Sequence, residues 1–441
     1  MHYTSAFYMR LSLLNFDQRV GSLEEKGCLI ERFGRNIMNN LKRRTLFCLL
    51  SGAALSAVSF SHATAQDRTS VKIGYAVSKS GANATGAGIT TIPNYKLWVK
   101  EVNDAGGLTL PDGKRLPVDV VEYDDRSSAE DAVRFTERLA SQDKVDFILP
   151  PWGTGFNLAV APLYDRFGYP QLAVTGVTDK APDFAARWKK SFWMLGGGHD
   201  YAVALADVLK AAREAGQIND KVAVISVADG FGIDLIKAAR PALKEAGFTL
   251  AYDKTYPVGT SDFAALVNEA AASGADSFIA FSYPPDSFAV TKQAQTARYN
   301  PKVFYVGVGG AFPIFPKVSD GKQEGVISIG GVDGSSDRIE DYFKRHEAFI
   351  GTKPDSWASA ITYASLEMLA QSIQRVGLDR AAVAGELSTG SFDTVIGPVK
   401  LEDNQLRQLW WAGQWQGERF VAIAPAERPG AAKPVVPKPQ W

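Results

Sequence analysis

The chain has 441 residues, and its 48 lysines and arginines balance 48 aspartates and glutamates. At about 150 residues per domain this length allows two or three domains, and a hydrophobic content of 46% is too high for a disordered chain. No apolar run reaches the roughly 18 residues of a membrane span, and the balanced charge without a dense basic face argues against a nucleic-acid partner.

The N-terminal segment has the pattern of a secretory signal peptide. Three basic residues at 42–44 precede an apolar stretch at 46–60, and the small-residue motif Ala63-Thr64-Ala65 follows. The pattern predicts export to the periplasm with cleavage after Ala65, by either the general secretory or the twin-arginine route. Met38 lies at the usual distance upstream, so residues 1–65 are expected to be a misassigned extension plus a signal peptide. Their loss removes both cysteines and leaves 40 basic against 44 acidic residues.

Strand and helix patterns alternate along the rest of the chain. Apolar and β-branched runs predict strands at 71–77, 116–123, 145–149, 171–174, 221–227, 249–256, 276–281, 303–306, 395–401, 409–415 and 420–423. Helical periodicity, caps and terminal glycines predict helices at 92–102, 127–141, 156–167, 201–212, 233–246, 263–272, 287–297 and 361–373. This alternation predicts an α/β fold of two doubly wound parallel-sheet lobes, with a cleft at the strand carboxyl ends. Residues 425–441 carry five prolines and are predicted to be a disordered tail.

The mature chain shows no apparatus for catalysis. It holds two histidines, His199 and His346, and none of the metalloprotease, nucleophile-elbow, Walker or dinucleotide motifs. His346 lies in a charged segment and is predicted to face solvent. We therefore expect a binding protein rather than an enzyme, with no metal and no cofactor.

Several local motifs occur together in a specific order. They include Val71-Lys-Ile-Gly-Tyr-Ala, Asn103-Asp-Ala-Gly-Gly, Gly168-Tyr-Pro-Gln-Leu, Asp229-Gly-Phe-Gly and Gly397-Pro-Val. With the signal peptide and the cysteine-free mature chain, they resemble the periplasmic binding proteins of ABC importers, in the branched-chain amino-acid-binding (type I) family. The resemblance implies a hinge of three crossings, near 196–200, 330–334 and 403–409. Lobe 1 would then comprise 66–197 with 332–405, and lobe 2 would comprise 198–331 with 406–424.

The resemblance also implies where a ligand binds. The turn that holds Trp152, Thr154 and Phe156 matches the family's carboxylate-binding turn, where a hydroxyl and helix N-terminal amides bind an anion. An ordinary helix cap at Thr154 is the alternative. The next strand end carries three further candidate contacts, Thr175, Gly176 and Thr178.

Three aromatic residues match family positions on the rest of the cleft wall: Phe231, Tyr283 and Tyr363. Each aromatic residue alone could equally fill the core. Gly309 stands in the stretch where amino-acid-binding members place an acid for the ligand ammonium, and this chain has no acid there. A buried ammonium without a counter-charge is costly, so the pattern favours a small, flat, aromatic carboxylate as ligand.

The expected partners are therefore a small-molecule carboxylate and the subunits of an ABC permease, with the receptor itself a monomer in the periplasm. A receptor for a branched-chain amino acid or an amide stays open as an alternative, with Asp286 as the first candidate to pair with the ammonium. A ligand sensor that regulates a partner protein is a further alternative.

Overall fold

A computed structural model describes residues 68–441. The predicted signal peptide, its cleavage after Ala65 and the proposed start at Met38 all lie outside the described residues. Within the described part of the chain, no helix is both long and apolar enough to cross a membrane.

The first lobe begins with the strands β1 (Val71–Val77), β2 (Leu108–Thr109), β3 (Arg115–Leu116), β4 (Val118–Asp124), β5 (Phe147–Leu149), β6 (Gln171–Ala173) and β7 (Ser191–Trp193). They form a parallel sheet in the order β4-β1-β5, a separate parallel pair of β6 and β7, and an antiparallel pair of β2 and β3. The helices of this lobe are α1 (Ala84–Ile89), α2 (Thr91–Asp104), α3 (Ala129–Ser141), α4 (Thr154–Phe167) and α5 (Ala181–Arg187). The side chain of Ser128 accepts a hydrogen bond from the Asp131 N–H and so begins α3, as the Ser-Ser-x-Glu-Asp pattern predicts.

The second lobe is built on one seven-stranded sheet. Its first elements are α6 (Gly198–Glu214), β8 (Lys221–Val227), α7 (Gly230–Glu245), β9 (Thr249–Tyr256), α8 (Ala264–Ala272), β10 (Ser277–Phe281), α9 (Pro284–Thr296), β11 (Val303–Val306), a 3-10 turn (Val308–Ala311), α10 (Phe315–Val318) and β12 (Ile327–Ile329). Every residue of β10 and of β11 is buried, because a parallel strand covered by helices on both faces needs a continuous apolar run.

The chain then returns to each lobe once. Helices α11 (Asp337–Ile350), α12 (Ser359–Val376) and α13 (Arg380–Thr389), with the hairpin of β13 (Ser391–Thr394) and β14 (Gly397–Lys400), complete the first lobe. Strands β15 (Ala412–Gln416) and β16 (Arg419–Ala424) complete the second, whose sheet order is β16-β15-β12-β11-β10-β8-β9. These last two strands are antiparallel, because the turn that joins them at Gly417 is too short for a parallel crossover. The described chain is thus a two-lobed α/β fold.

The prediction of a disordered tail at 425–441 was wrong. The indole N–H of Trp441 donates a 2.7 Å hydrogen bond to the Tyr299 carbonyl, and its ring packs edge-on against Phe304. Lys438 is buried and its ammonium lies 3.6 Å from the centre of the Trp441 ring. Prolines prevent a helix here, but the side chains of Ala432, Val436 and Trp441 give the segment enough apolar surface to pack on the core.

His346 is buried, and the prediction that it faces solvent was also wrong. It lies on the same face of α11 as Ile339 and Tyr342, which precede it by seven and four residues. Its Nδ1 lies 2.9 Å from the carbonyl oxygen of Thr352, and burial lowers the pKa of its imidazole.

Candidate functional site

The lobes meet where strands of both sheets end and helices begin. Helix α4 follows β5 on the first lobe, whereas α7 and α9 follow β8 and β10 on the second. The carboxyl ends of parallel strands, with the helix N-termini that follow them, are the usual location of ligands in such folds.

The turn before α4 is tied to the next turn of the same lobe. Gly153 has a φ of 98°, a left-handed conformation that favours glycine, and its N–H donates a 2.9 Å hydrogen bond to Oγ1 of Thr175. The Val177 N–H donates a 3.1 Å hydrogen bond to Oγ1 of Thr154. The N-cap residue of α4 is Gly153, so no side chain accepts a hydrogen bond from the first N–H groups of the helix. The first turn of this helix therefore offers backbone N–H groups and the positive end of the helix dipole to an anion.

Four aromatic side chains from both lobes pack together at this point; we call them the aromatic cluster. Trp152 of the first lobe lies 5.5 Å from Tyr283 of the second, centroid to centroid, and Tyr283 stacks on Phe231 at 5.1 Å. Trp357, from the turn that leads into α12, meets Trp152 edge-on at 6.4 Å. Aromatic pairs at these distances attract each other beyond the apolar area that they bury.

Helix α1 packs closely against the indole of Trp152. A Cβ at Gly86 would overlap the six-membered ring of the indole, so a glycine is required for the ring to lie there. Trp152 is fully buried, and its indole N–H has no hydrogen-bond partner among the described residues. An unpaired buried donor is energetically unfavourable and is available to an acceptor group.

The second lobe places carboxylates behind the aromatic cluster. Tyr283 donates a 2.6 Å hydrogen bond from its hydroxyl to Oδ2 of Asp229, whose Oδ1 accepts from the N–H groups of the first turn of α7. Tyr256 donates a 3.1 Å hydrogen bond to Oδ2 of Asp286. Burial raises the pKa of Asp229 and raises that of Asp286 to about 6, since each carboxylate loses water. The neighbouring charge of Asp234 adds to the effect on Asp229, and that of Asp229 adds to the effect on Asp286.

Some predicted site residues lie together and others do not. Trp152, Thr154, Thr175, Gly176, Thr178, Phe231 and Tyr283 all lie at the junction of the lobes, in the turns and the aromatic cluster described above or packed against them. Gly176 faces the ring of Trp193 and Cβ of Asn157 within the first lobe.

Three predicted residues lie elsewhere. Phe156 packs with the residues of α3 and α4 on the far side of the first lobe. Tyr363 points away from the aromatic cluster: its hydroxyl donates to Glu101 and accepts a 3.3 Å hydrogen bond from Arg345. Gly309 faces the start of α9, where a Cβ would come within 2.9 Å of Pro284.

Trp357 and Asp229 are the residues that the sequence reasoning missed. Trp357 follows Asp355, which accepts hydrogen bonds from three successive N–H groups and begins α12. This cap signature, an Asp-Ser pair before a helical stripe, was the available signal for a turn at the cleft. Among the residues that the structure describes, no group of His, Cys, Asp or Glu could hold a metal ion.

The chain is similar in sequence to known binding proteins. The family model described as periplasmic binding protein matches residues 70–419. A Leu/Ile/Val-binding protein homolog 7 from Brucella abortus (strain 2308) is 25% identical over 394 residues, covering 84% of this chain and 96% of its own.

Two solved structures have the same fold. A solute-binding protein of an R. palustris ABC transporter, in complex with benzoate, gives a TM-score of 0.70 at 18% identity over 83% of this chain and 99% of its own. The branched-chain amino acid transporter substrate-binding protein of Streptococcus pneumoniae, in complex with isoleucine, gives 0.69 at 19% identity over 80% and 98%.

Proposed function

The chain belongs to the periplasmic binding protein family, and from this premise we propose that it is an extracytoplasmic receptor for a small aromatic carboxylate. The receptor binds the carboxylate between its lobes and delivers it to an ABC permease, without catalysis. The family and the two-lobed fold confirm the predictions made from the sequence. The class of ligand, delivery to a permease and export to the periplasm are the parts that we propose.

The observation that carries the proposal is the aromatic cluster at the uncapped N-terminus of α4. A flat ring held between Trp152 and Tyr283 needs aromatic faces about 7–8 Å apart, since carbon atoms in contact are separated by about 3.5–4 Å. The two centroids are now 5.5 Å apart, so a modest separation of the lobes admits a benzene ring. A carboxylate on that ring would lie against the first N–H groups of α4.

The charges around the cluster support an acid over an α-amino acid. The region after β11 carries Gly309 where an ammonium would need an acidic partner, and the packing against Pro284 leaves no space for a side chain. Both carboxylate oxygens of Asp229 already accept hydrogen bonds, from the Tyr283 hydroxyl and from N–H groups of α7. The R. palustris structural neighbour, a benzoate complex, has the same fold.

A branched-chain amino-acid receptor is the second candidate. It is favoured by Asp286, a buried carboxylate of the cleft wall that could pair with an ammonium, and by the relative from Brucella abortus. Thermal-shift and calorimetric titrations with benzoate, 4-hydroxybenzoate, cinnamate, leucine, isoleucine and valine separate the two candidates. A ligand at about 100 times its Kd stabilises the folded state by about 2.7 kcal/mol, enough for a clear shift in Tm.

Thr154 gives the matched variants for the same titration. Thr154→Val removes the hydroxyl that accepts from the Val177 N–H and weakens the α4 anion site, whereas Thr154→Ser keeps the hydroxyl. We expect Kd for an aromatic carboxylate to rise about 10- to 100-fold in the valine variant and to stay near wild type in the serine variant. Stabilisation by leucine or valine, with no response to any aromatic acid, would reject the proposed ligand class.

A further inference from the structure

A cavity lies beside Tyr283 and is lined by residues of both lobes. Its volume is about 240 Å³, several times the roughly 30 Å³ that a water molecule occupies. The loop before α1 contributes Asn83, the loop after β9 contributes Thr260 and Ser261, and the start of α9 contributes Asp286.

The lining of this cavity carries one ionisable carboxylate and no cation. Asp286 is 6% exposed, and both of its hydrogen bonds, from the Tyr256 hydroxyl and the Tyr283 N–H, are accepted by Oδ2. No lysine, arginine or histidine lines the cavity among the described residues. The side chain of Asn83 does not cap its helix, although it precedes α1.

These contacts leave Oδ1 of Asp286 as an acceptor toward the cavity. A buried carboxylate without a cation is stabilised by a hydrogen-bond donor or a positive charge that arrives with a ligand. The raised pKa of Asp286 has the same origin, because desolvation and the neighbouring Asp229 both disfavour the charged carboxylate.

We infer that the cavity is a specificity subsite for a hydroxyl or ammonium substituent of the ligand, held by Asp286. The inference rests on the proposed function. It deepens that function by naming the ligand class as aromatic carboxylates that carry a hydrogen-bond donor on the ring edge remote from the carboxylate. The ring lies in the aromatic cluster, and the substituent passes Tyr283 into the cavity.

The test compares three probes that differ only at one ring position: 4-hydroxybenzoate, 4-(aminomethyl)benzoate and 4-methylbenzoate. Calorimetry gives the Kd of each for the wild type, for Asp286→Asn and for Asp262→Asn. Asparagine at 286 keeps an acceptor for Tyr256 and the Tyr283 N–H but removes the charge. Asp262 is exposed in the neighbouring loop and does not line the cavity, so it is the matched control.

We expect the wild type and Asp262→Asn to prefer both donor-bearing probes over 4-methylbenzoate by about tenfold or more, the size of a hydrogen bond to a charged group. In Asp286→Asn this preference should fall by about tenfold. If the preference is the same in Asp286→Asn and in the wild type, Asp286 only caps α9 and the subsite is rejected.

A second variant covers the case in which Asp286→Asn fails to fold. Asn83→Lys places an ammonium in the cavity opposite Asp286 without changing the cap of α9. It should abolish the preference for donor-bearing probes over 4-methylbenzoate, and retention of the preference would also reject the subsite.

Failure of the proposed function gives a different result. If no aromatic carboxylate binds, but leucine or benzylamine binds to the wild type and not to Asp286→Asn, the aromatic-carboxylate assignment is wrong and the acidic subsite stands. If none of these probes binds to the wild type, both are wrong.

Discussion

The hydroxyl of Thr178 donates a 2.5 Å hydrogen bond to Oδ2 of Asp234 and thereby joins the two lobes. Both side chains are buried. Thr178 lies in the loop between β6 and α5 of the first lobe, and Asp234 lies near the start of α7 in the second. A hydrogen bond to a buried carboxylate contributes more than one between neutral groups. The arrangement of the lobes in this structure is therefore stabilised by a specific bond as well as by the aromatic cluster.

Thr178→Val should shift the receptor toward a more open arrangement. The loss of a hydrogen bond of about 1.5–3 kcal/mol corresponds to a change of about 10- to 100-fold in the balance between closed and open states. Solution scattering should show a larger radius of gyration, and ligand Kd should rise. Thr362→Val is the control, because the buried Thr362 hydroxyl donates only to the carbonyl of Ala358, the N-cap of its own helix α12. An unchanged radius and Kd in Thr178→Val would show that the bond does not contribute to closure.

Two glycines of α1 provide a test variant and its control for the packing of Trp152 in the aromatic cluster. At Gly86 a methyl group would overlap the Trp152 indole, whereas at Gly88 nothing lies within 4 Å of the added Cβ. Gly86→Ala should destabilise the fold by about 1–3 kcal/mol and weaken ligand binding by displacing Trp152. Gly88→Ala should be neutral or stabilising by up to about 1 kcal/mol. Urea unfolding followed by tryptophan fluorescence measures both, and equal behaviour of the two variants would contradict this account of Trp152.

The C-terminal segment should contribute to the stability of the second lobe. Trp441→Ala removes a ring that packs on Phe304 and a hydrogen bond to the Tyr299 carbonyl, so a loss of about 2–3 kcal/mol in the free energy of unfolding is expected. Gln440→Ala, at an exposed neighbouring position, should change it by less than about 0.5 kcal/mol. Wild-type stability of Trp441→Ala in chemical denaturation would mean that the segment is dispensable.

The buried carboxyl group of Glu367 should make the free energy of unfolding depend on pH. Burial raises the pKa of its carboxyl to about 7, although the Val395 N–H donates a 2.8 Å hydrogen bond to it. The folded state therefore binds a proton more tightly than the unfolded state, and stability falls as pH rises from about 4.5 to 7. Glu367→Gln keeps an acceptor for Val395 and removes the charge.

The glutamine variant should be more stable than the wild type at pH 8, by at most about 3 kcal/mol, and close to it at pH 4.5. Urea unfolding at the two pH values measures this difference. The same difference at both pH values would show that Glu367 does not titrate in this range.

The sequence predicted the bounds of several strands correctly, where residue preferences and the flanking turn or helix signals agreed. Strands β1, β8, β9 and β11 have the predicted bounds, because each is a run of strand-forming residues between clear helix or turn signals. Helix α4 begins two residues earlier than predicted, at Thr154, because no side-chain cap marks its start.

The site was harder to predict because side-chain direction depends on helix phase. Phe156 follows Thr154 by two residues, which is about 200° around an α-helix, so the two point to opposite sides. Helix α12 is buried along most of its length, so periodicity alone did not indicate that Tyr363 points away from the aromatic cluster. Trp357, which belongs to the cluster, lies in the turn before the helix. Asp229 is the N-cap of α7 and Asp286 lies in the first turn of α9. Each accepts a hydrogen bond from a tyrosine of a distant segment, and no local sequence pattern indicates such contacts.

The most direct test of the central claim is the identity of the ligand that the protein carries. The protein would be purified from its native source without denaturation and then unfolded, and the released small molecules would be analysed by mass spectrometry. We expect an aromatic carboxylate with a hydroxyl or amino substituent. Recovery of leucine, isoleucine or valine in stoichiometric amount would contradict this expectation.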